Sequence, residues 1–198
     1  MDETDLEALE RELPGLARLS RFARSLDRIP WFANIGEPLT PGGRAAAEDY
    51  CSGLGFPDAE IAMLMDWGDA AAVAESLDWQ SPAWEAEESL RADLTGRALD
   101  LLSEDALRIG MALIAEKVSE PAKDAVEEVS YLSDLDDEQI KTLCVGAAVQ
   151  AANGAALALI AAADSDFDAE NHPLAAKFRL FEFGRWPVSI TGSSFNLF

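Results

Sequence analysis

One histidine and two cysteines are all this chain of 198 residues has, and that scarcity excludes more chemistry than any residue present suggests. A zinc centre of ordinary Cys/His spacing needs more such ligands than are available. The Glu-x-x-His pairs of a di-iron carboxylate bundle are absent. So are the GxSxG nucleophile elbow, the GxGxxG dinucleotide loop and the HExxH metalloprotease pair. Cys51 and Cys144 lie far apart, each in a helical pattern, and read as buried thiols. Nothing here nominates a catalytic residue or a resident cofactor.

Positive charge is scarce as well. The 15 Lys and Arg stand against 37 Asp and Glu, for a net charge of −22. Binding to nucleic-acid phosphates needs the opposite balance, and an anionic membrane surface is disfavoured for the same reason. The first residues are acidic rather than basic and apolar, so no secretory leader is legible and the expected compartment is the cytoplasm. The acids are spread over almost every helical pattern, which reads first as a solubilising surface. The alternative is an acidic mimic that occupies a basic partner, and it needs the carboxylates on one face.

What the chain has in quantity is apolar residues, 49% of the total, enough for the core of one domain over residues 1–198. The organising stretch is Leu143 to Ala163, apolar nearly all round and broken only by Gln150 and Asn153. At about 1.5 Å per residue it spans about 31 Å, so length alone allows a membrane crossing. Its composition argues against one. Most positions are Ala, acids flank both ends, and no Trp or Tyr anchors either end. The expected fold is therefore all-α: about eight or nine helices in an irregular bundle around a buried Ala-rich helix over 139–163. Asp136 with Gln139 reads as its capping box. Thr142, Gly146, Gln150 and Asn153 fall on one stripe of it at about 100° per residue. That stripe is either a solvent-facing strip or the lining of a polar ligand pocket.

The remaining elements follow from periodicity and punctuation. Residues 3–12 form an acidic amphipathic helix, ended by Pro14-Gly15, and 16–28 form the next. Its Arg18, Arg21, Arg24 and Arg28 make the one basic stripe, which either neutralises nearby carboxylates or receives an anionic partner. With the loop Ile29 to Pro41 these complete an N-terminal unit over 1–40. If that loop is not packed down, Trp31 and Phe32 are the best exposed apolar patch. Thr40-Pro41 opens a helix. Two short helices are expected between 57 and 77, and helices over 82–101 and from Ser103 onward, the latter bending or restarting at Pro121. Glu87–Arg91 and Asp93–Arg97 are helical i,i+4 pairs. Asp66-Trp67 and Asp78-Trp79 read as helix ends with Trp closing the core, or as stacking platforms for carbohydrate. Beyond 184 the pattern alternates, Trp186, Val188 and Ile190 against Phe195 and Leu197 across Thr191-Gly192-Ser193-Ser194. That is a β-hairpin over 186–198, whose edge offers a second copy of the chain a pairing surface.

One further constellation has ligand chemistry. Asp164, Asp166, Asp168 and Glu170 place carboxylates at alternate positions, as a calcium loop does. Ala169 replaces the turn glycine and Ala175 the bidentate glutamate, so the simpler reading is a solvated connector capping the helix at His172-Pro173. The function expected is a non-catalytic binding or interaction protein. It would act on a protein partner through helix faces or the aromatic patches at Trp31-Phe32 and Trp186. The alternative is a metal-dependent enzyme or small-ligand binder using the acidic loop or the polar stripe of Gln150 and Asn153.

Overall fold

The computed structural model describes residues 13–132, 137–164 and 166–198. The helix expected over 3–12 and the cap expected at Asp136 lie outside them. Within them the order is α1 (Pro14–Ser25), a 3-10 turn (Leu26–Arg28), α2 (Pro41–Gly53), β1 (Glu60–Met63), α3 (Trp67–Glu75), α4 (Pro82–Leu101), α5 (Glu104–Leu132), α6 (Glu138–Ala161), α7 (Pro173–Glu182), β2 (Pro187–Thr191) and β3 (Ser194–Leu197). The body is helical, as the patterning requires.

Three of these helices start with the same device. Thr40, Ser81 and His172 stand in extended backbone just before Pro41, Pro82 and Pro173, and their side chains accept from Gly43, Trp84 and Leu174 N–H. The proline supplies a fixed φ where its missing N–H costs nothing, and the cap satisfies an orphan donor. Pro14 supplies the same first-turn proline at α1, there without a side-chain cap. At α6 the cap is Asp137, whose Oδ1 accepts from Gln139 and Ile140 N–H. Helix α5 runs through Pro121 without restarting.

The core forms around α6, which packs on α5, α7, α4 and α1. Cys144, Ala148, Ala152 and Ala156 repeat every four residues and are fully buried, so these neighbours approach closely on one stripe. From Ala151 to Ala161 the helix is enclosed almost throughout. Its first half is open along one side, at Thr142, Gly146 and Gln150. The helix is long and apolar enough to cross a membrane, yet 56% of its most apolar stretch is buried within the protein.

The hairpin gains a strand that periodicity does not show. Residues 60–63, expected in a helix, form β1, which pairs in parallel with β3 so that Ile61 faces Phe195 and Met63 faces Leu197. Four residues are too few to separate the two periods, and the partner strand lies far along the chain. The sheet order is β1-β3-β2. It covers a second, smaller core in which Tyr50 and Cys51 of α2 meet Ala176 and Leu180 of α7 and Phe195 of β3.

The aromatic loop is packed down. Trp31 is 4% exposed and Phe32 is fully buried, stacked edge-on against Phe178 and Phe181 of α7. Phe32 holds φ at 56°, a left-handed conformation that costs a bulky residue about 1–3 kcal/mol and persists only where burial outweighs it. A partner surface at Trp31 and Phe32 is thereby corrected: these rings belong to the core.

Two glycines give opposite expectations. A Cβ at Gly96 of α4 meets nothing within 4 Å, whereas one at Gly53 lies 2.7 Å from the Pro173 ring. Gly96→Ala should raise stability by about 0.5–1 kcal/mol, and Gly53→Ala should lower it by about 1–3 kcal/mol. Urea denaturation of the two variants checks both signs.

Candidate functional site

A groove of about 500 Å³ runs beside the open half of α6. One wall is Leu143, Gly146 and Gln150 of α6. A second is Trp84 at the start of α4, with Trp79 in the loop before it, and the third is Trp186 to Gly192 along β2. Trp79 is 53% exposed and stands edge-on to Trp84, ring centroids 4.7 Å apart. Trp186 is 2% exposed and belongs to the core, which corrects the partner patch expected there; it borders the groove from within. Groups of this kind, aromatic walls with a few convergent polar atoms, are what small-molecule and peptide sites are made of.

The floor holds a buried charged cluster. Glu87 of α4 and Lys177 of α7 are 3% and 7% exposed. Lys177 Nζ donates to both Glu87 oxygens, at 2.9 and 2.8 Å. The Tyr50 hydroxyl of α2 donates to Oε2 at 2.5 Å, and Arg91 Nη2 donates to Oε1 at 2.7 Å. Arg91 also pairs with Glu88, and the Lys177 ammonium stands 5.6 Å from the centre of the Tyr50 ring. Burial pushes the Glu87 carboxyl up. The Lys177 charge and hydrogen bond, the Tyr50 hydrogen bond and the Arg91 charge outweigh that and hold it below the usual carboxylate range. Burial and the adjacent Glu87 raise the Tyr50 hydroxyl well above the ordinary phenol. A carboxylate already accepting four hydrogen bonds from three side chains is a poor base, and a phenol held neutral is a poor nucleophile. The cluster braces three helices.

The polar stripe of α6 falls on the ridge between this groove and a second one. Thr142, Gly146 and Gln150 line both. The second groove, about 540 Å³, lies between α6 and α5 and takes in Lys123, Val126, Val149 and Asn153. Asn153 Oδ1 is buried with no hydrogen-bond partner. Arg18 and Arg21 lie on α1 and line neither groove. Cys51 and Cys144 are both free and buried; burial pushes the Cys51 thiol up to about 11 and raises Cys144 further, so both are inert.

The acidic loop folds as a connector. Asp164 Oδ1 accepts from Asp166 N–H, and Asp168 accepts from Glu170 and Asn171 N–H and from the Asn171 amide. The Asn171 amide, foremost, holds the Asp168 carboxyl below its ordinary range. Among the described residues no three His, Cys, Asp or Glu side chains converge to hold a metal ion. The connector reading of the loop fits this geometry, and the alternative of a metal set at Asp164, Asp166, Asp168 and Glu170 is corrected because these carboxylates do not converge.

Tyr50, Glu87, Lys177 and Trp84 are therefore the residues that sequence reasoning left out of the site, whereas Trp79, expected either to close the core or to serve as a stacking platform, is exposed at the groove. Glu87 reads as half of a surface pair with Arg91. Lys177 carried the better signal, because it falls on the apolar stripe of Leu174, Phe178 and Phe181 at i+3 spacing. Compared with known proteins, the chain matches no family model, no curated protein and no solved structure.

Two outcomes follow from these contacts. Lys177→Met leaves the Glu87 charge buried without its main partner and should lower stability by about 3–5 kcal/mol. Adding Glu87→Leu should recover part of that loss, read from the same denaturation curves. The second concerns His172, whose Nδ1 caps α7 by accepting from Leu174 N–H at 3.2 Å. Burial lowers its pKa, with Arg97 adding to that and Asp93 opposing it. A depressed folded pKa contributes stability that is present above the unfolded value, about 6.5, and is lost as pH falls through the folded one. Wild type should lose stability between pH 7.5 and 5.5 more steeply than His172→Ser, which keeps a cap without a titrating group.

Proposed function

We propose that this protein is a non-catalytic binding protein whose ligand lies in the groove between α6, the start of α4 and β2. The observation that carries the reading is the pairing of an aromatic wall, Trp79 and Trp84, with a floor whose charges are satisfied among themselves. An exposed tryptophan at the mouth of a concave apolar site is the kind of residue that dominates binding energy. The floor contributes rigidity: its side chains are locked by one another, so an occupant meets a formed surface and loses little to reorganisation. Of the two forms of the binding hypothesis, the polar stripe is favoured over the acidic loop, because Gln150 reaches the groove and the loop acids do not.

Gly146 provides the test. A Cβ there meets nothing within 4 Å, so Gly146→Trp fills the groove while replacing a residue that weakens helices. Anilinonaphthalene sulfonate, an apolar fluorescent anion, should brighten with wild type and bind at least tenfold more weakly to Gly146→Trp, with no drop in the thermal midpoint. Gly146 borders both grooves, so Lys123→Trp, in the second groove alone, serves as the control and should bind as wild type does. Equal binding to Gly146→Trp and wild type refutes the proposal.

A further inference from the structure

Every residue from Trp186 to Gly192 lines the groove, odd and even positions alike. Beyond an irregularity between Pro187 and Ser189, the side chains of Ser189, Ile190 and Thr191 alternate between opposite faces, so a cavity that touches both sets runs along the strand's edge. The sheet order β1-β3-β2 leaves that edge unpaired among the described residues. Antiparallel pairing spends alternate backbone groups on the partner strand and turns the others away from it. With Thr191 opposite Ser194 across a two-residue turn and Ser189 opposite Asn196, the N–H and C=O of Ile190 face away from β3, toward the groove. The groove thus offers the unmet backbone N–H and C=O of Ile190, the start of a ladder, beside an aromatic wall. The complement to such a ladder is another extended backbone.

Resting on the reading above, we propose that the occupant is an extended peptide segment of a partner protein, added beside β2 as a fourth strand. An apolar side chain enters between Trp84 and Leu143, and a lysine or arginine faces Asp78, the exposed carboxylate at the groove's mouth. The charge is assigned by complementarity. Glu87 and Lys177 cancel each other on the floor, Asp78 is the acid left open to an occupant, and the whole chain carries −22. A basic, alternating segment is drawn in, and an acidic one is repelled.

Selection of peptides from a displayed random heptapeptide library on the full-length protein tests this. The expected winners alternate apolar and polar residues and carry Lys or Arg. A synthesised winner should slow exchange of the Ile190 amide at least tenfold, and methylating its backbone nitrogens on the side facing β2 should weaken binding at least tenfold. Gly146→Trp should abolish it. No enriched peptide, binding indifferent to backbone methylation, or protection elsewhere than β2 each overturns the strand-addition proposal. If anilinonaphthalene sulfonate still enters the groove and is blocked by Gly146→Trp, the groove remains a binding site and only the peptide occupant falls.

Discussion

Close approach of helices on the alanine stripe of α6 is the constraint from which the rest of the structure follows. A fully buried Cys144, Ala148, Ala152 and Ala156 present little more than backbone to their neighbours, so contact requires interaxial distances at the short end of the ordinary range. Gly154 carries this further, since even a Cβ there lies 3.1 Å from the Leu174 side chain. Small residues contribute little transfer free energy singly. The larger side chains therefore come from the outer helices, and Leu94, Ile114, Val118, Phe178 and Phe181 are all turned inward onto the alanine rod.

The same constraint explains why the groove lies where it does. Ala151–Ala161 is enclosed almost throughout, whereas the first half of α6 stays open along Thr142, Gly146 and Gln150, which line the groove. Beside that open side the filler is polar and long: the side chains of Tyr50, Glu87, Arg91 and Lys177 reach across from three helices and meet at one carboxylate. Removing a partner from such a cluster is costly, whereas an apolar filling of equal volume often is not. Its contribution here is position, because Lys177, held at both Glu87 oxygens, ties α7 to α4 at the groove's floor.

Much of the helical body was legible in the sequence, and the reasons are local. The helix over 82–101 was read with its own boundaries because Ser81-Pro82 caps it and its apolar positions repeat; α6 matched within a residue or two for the same causes. Residues 60–63 were misread because a strand that short is specified by Phe195 and Leu197, its partners from the far end of the chain, and no window contains both. Helix α1 starts at Pro14, two residues ahead of the expected start at Leu16, because proline fits the first turn of a helix as readily as the residues after one. In the candidate site the polar stripe was read from periodicity, since one helix contains it. Glu87 was not, because its partners Tyr50 and Lys177 come from two other helices and register only after folding.

The acidic surface and the groove separate two physical roles that composition alone merges. Glu87 is the one acid buried among the described residues, so the other acids of those residues reach water, where screening limits the range of their charge to about 8 Å at physiological ionic strength. Charge so placed keeps copies of the chain apart and favours encounter with cations. It does little inside a groove whose own ion pair is internally balanced. Shape, exposed ring area and the free edge of β2 must then set what stays bound, with Asp78 biasing only the orientation of arrival. Raising the salt concentration should accordingly slow association more than it hastens release, a partition that a charge mimic, held by its carboxylates, would reverse.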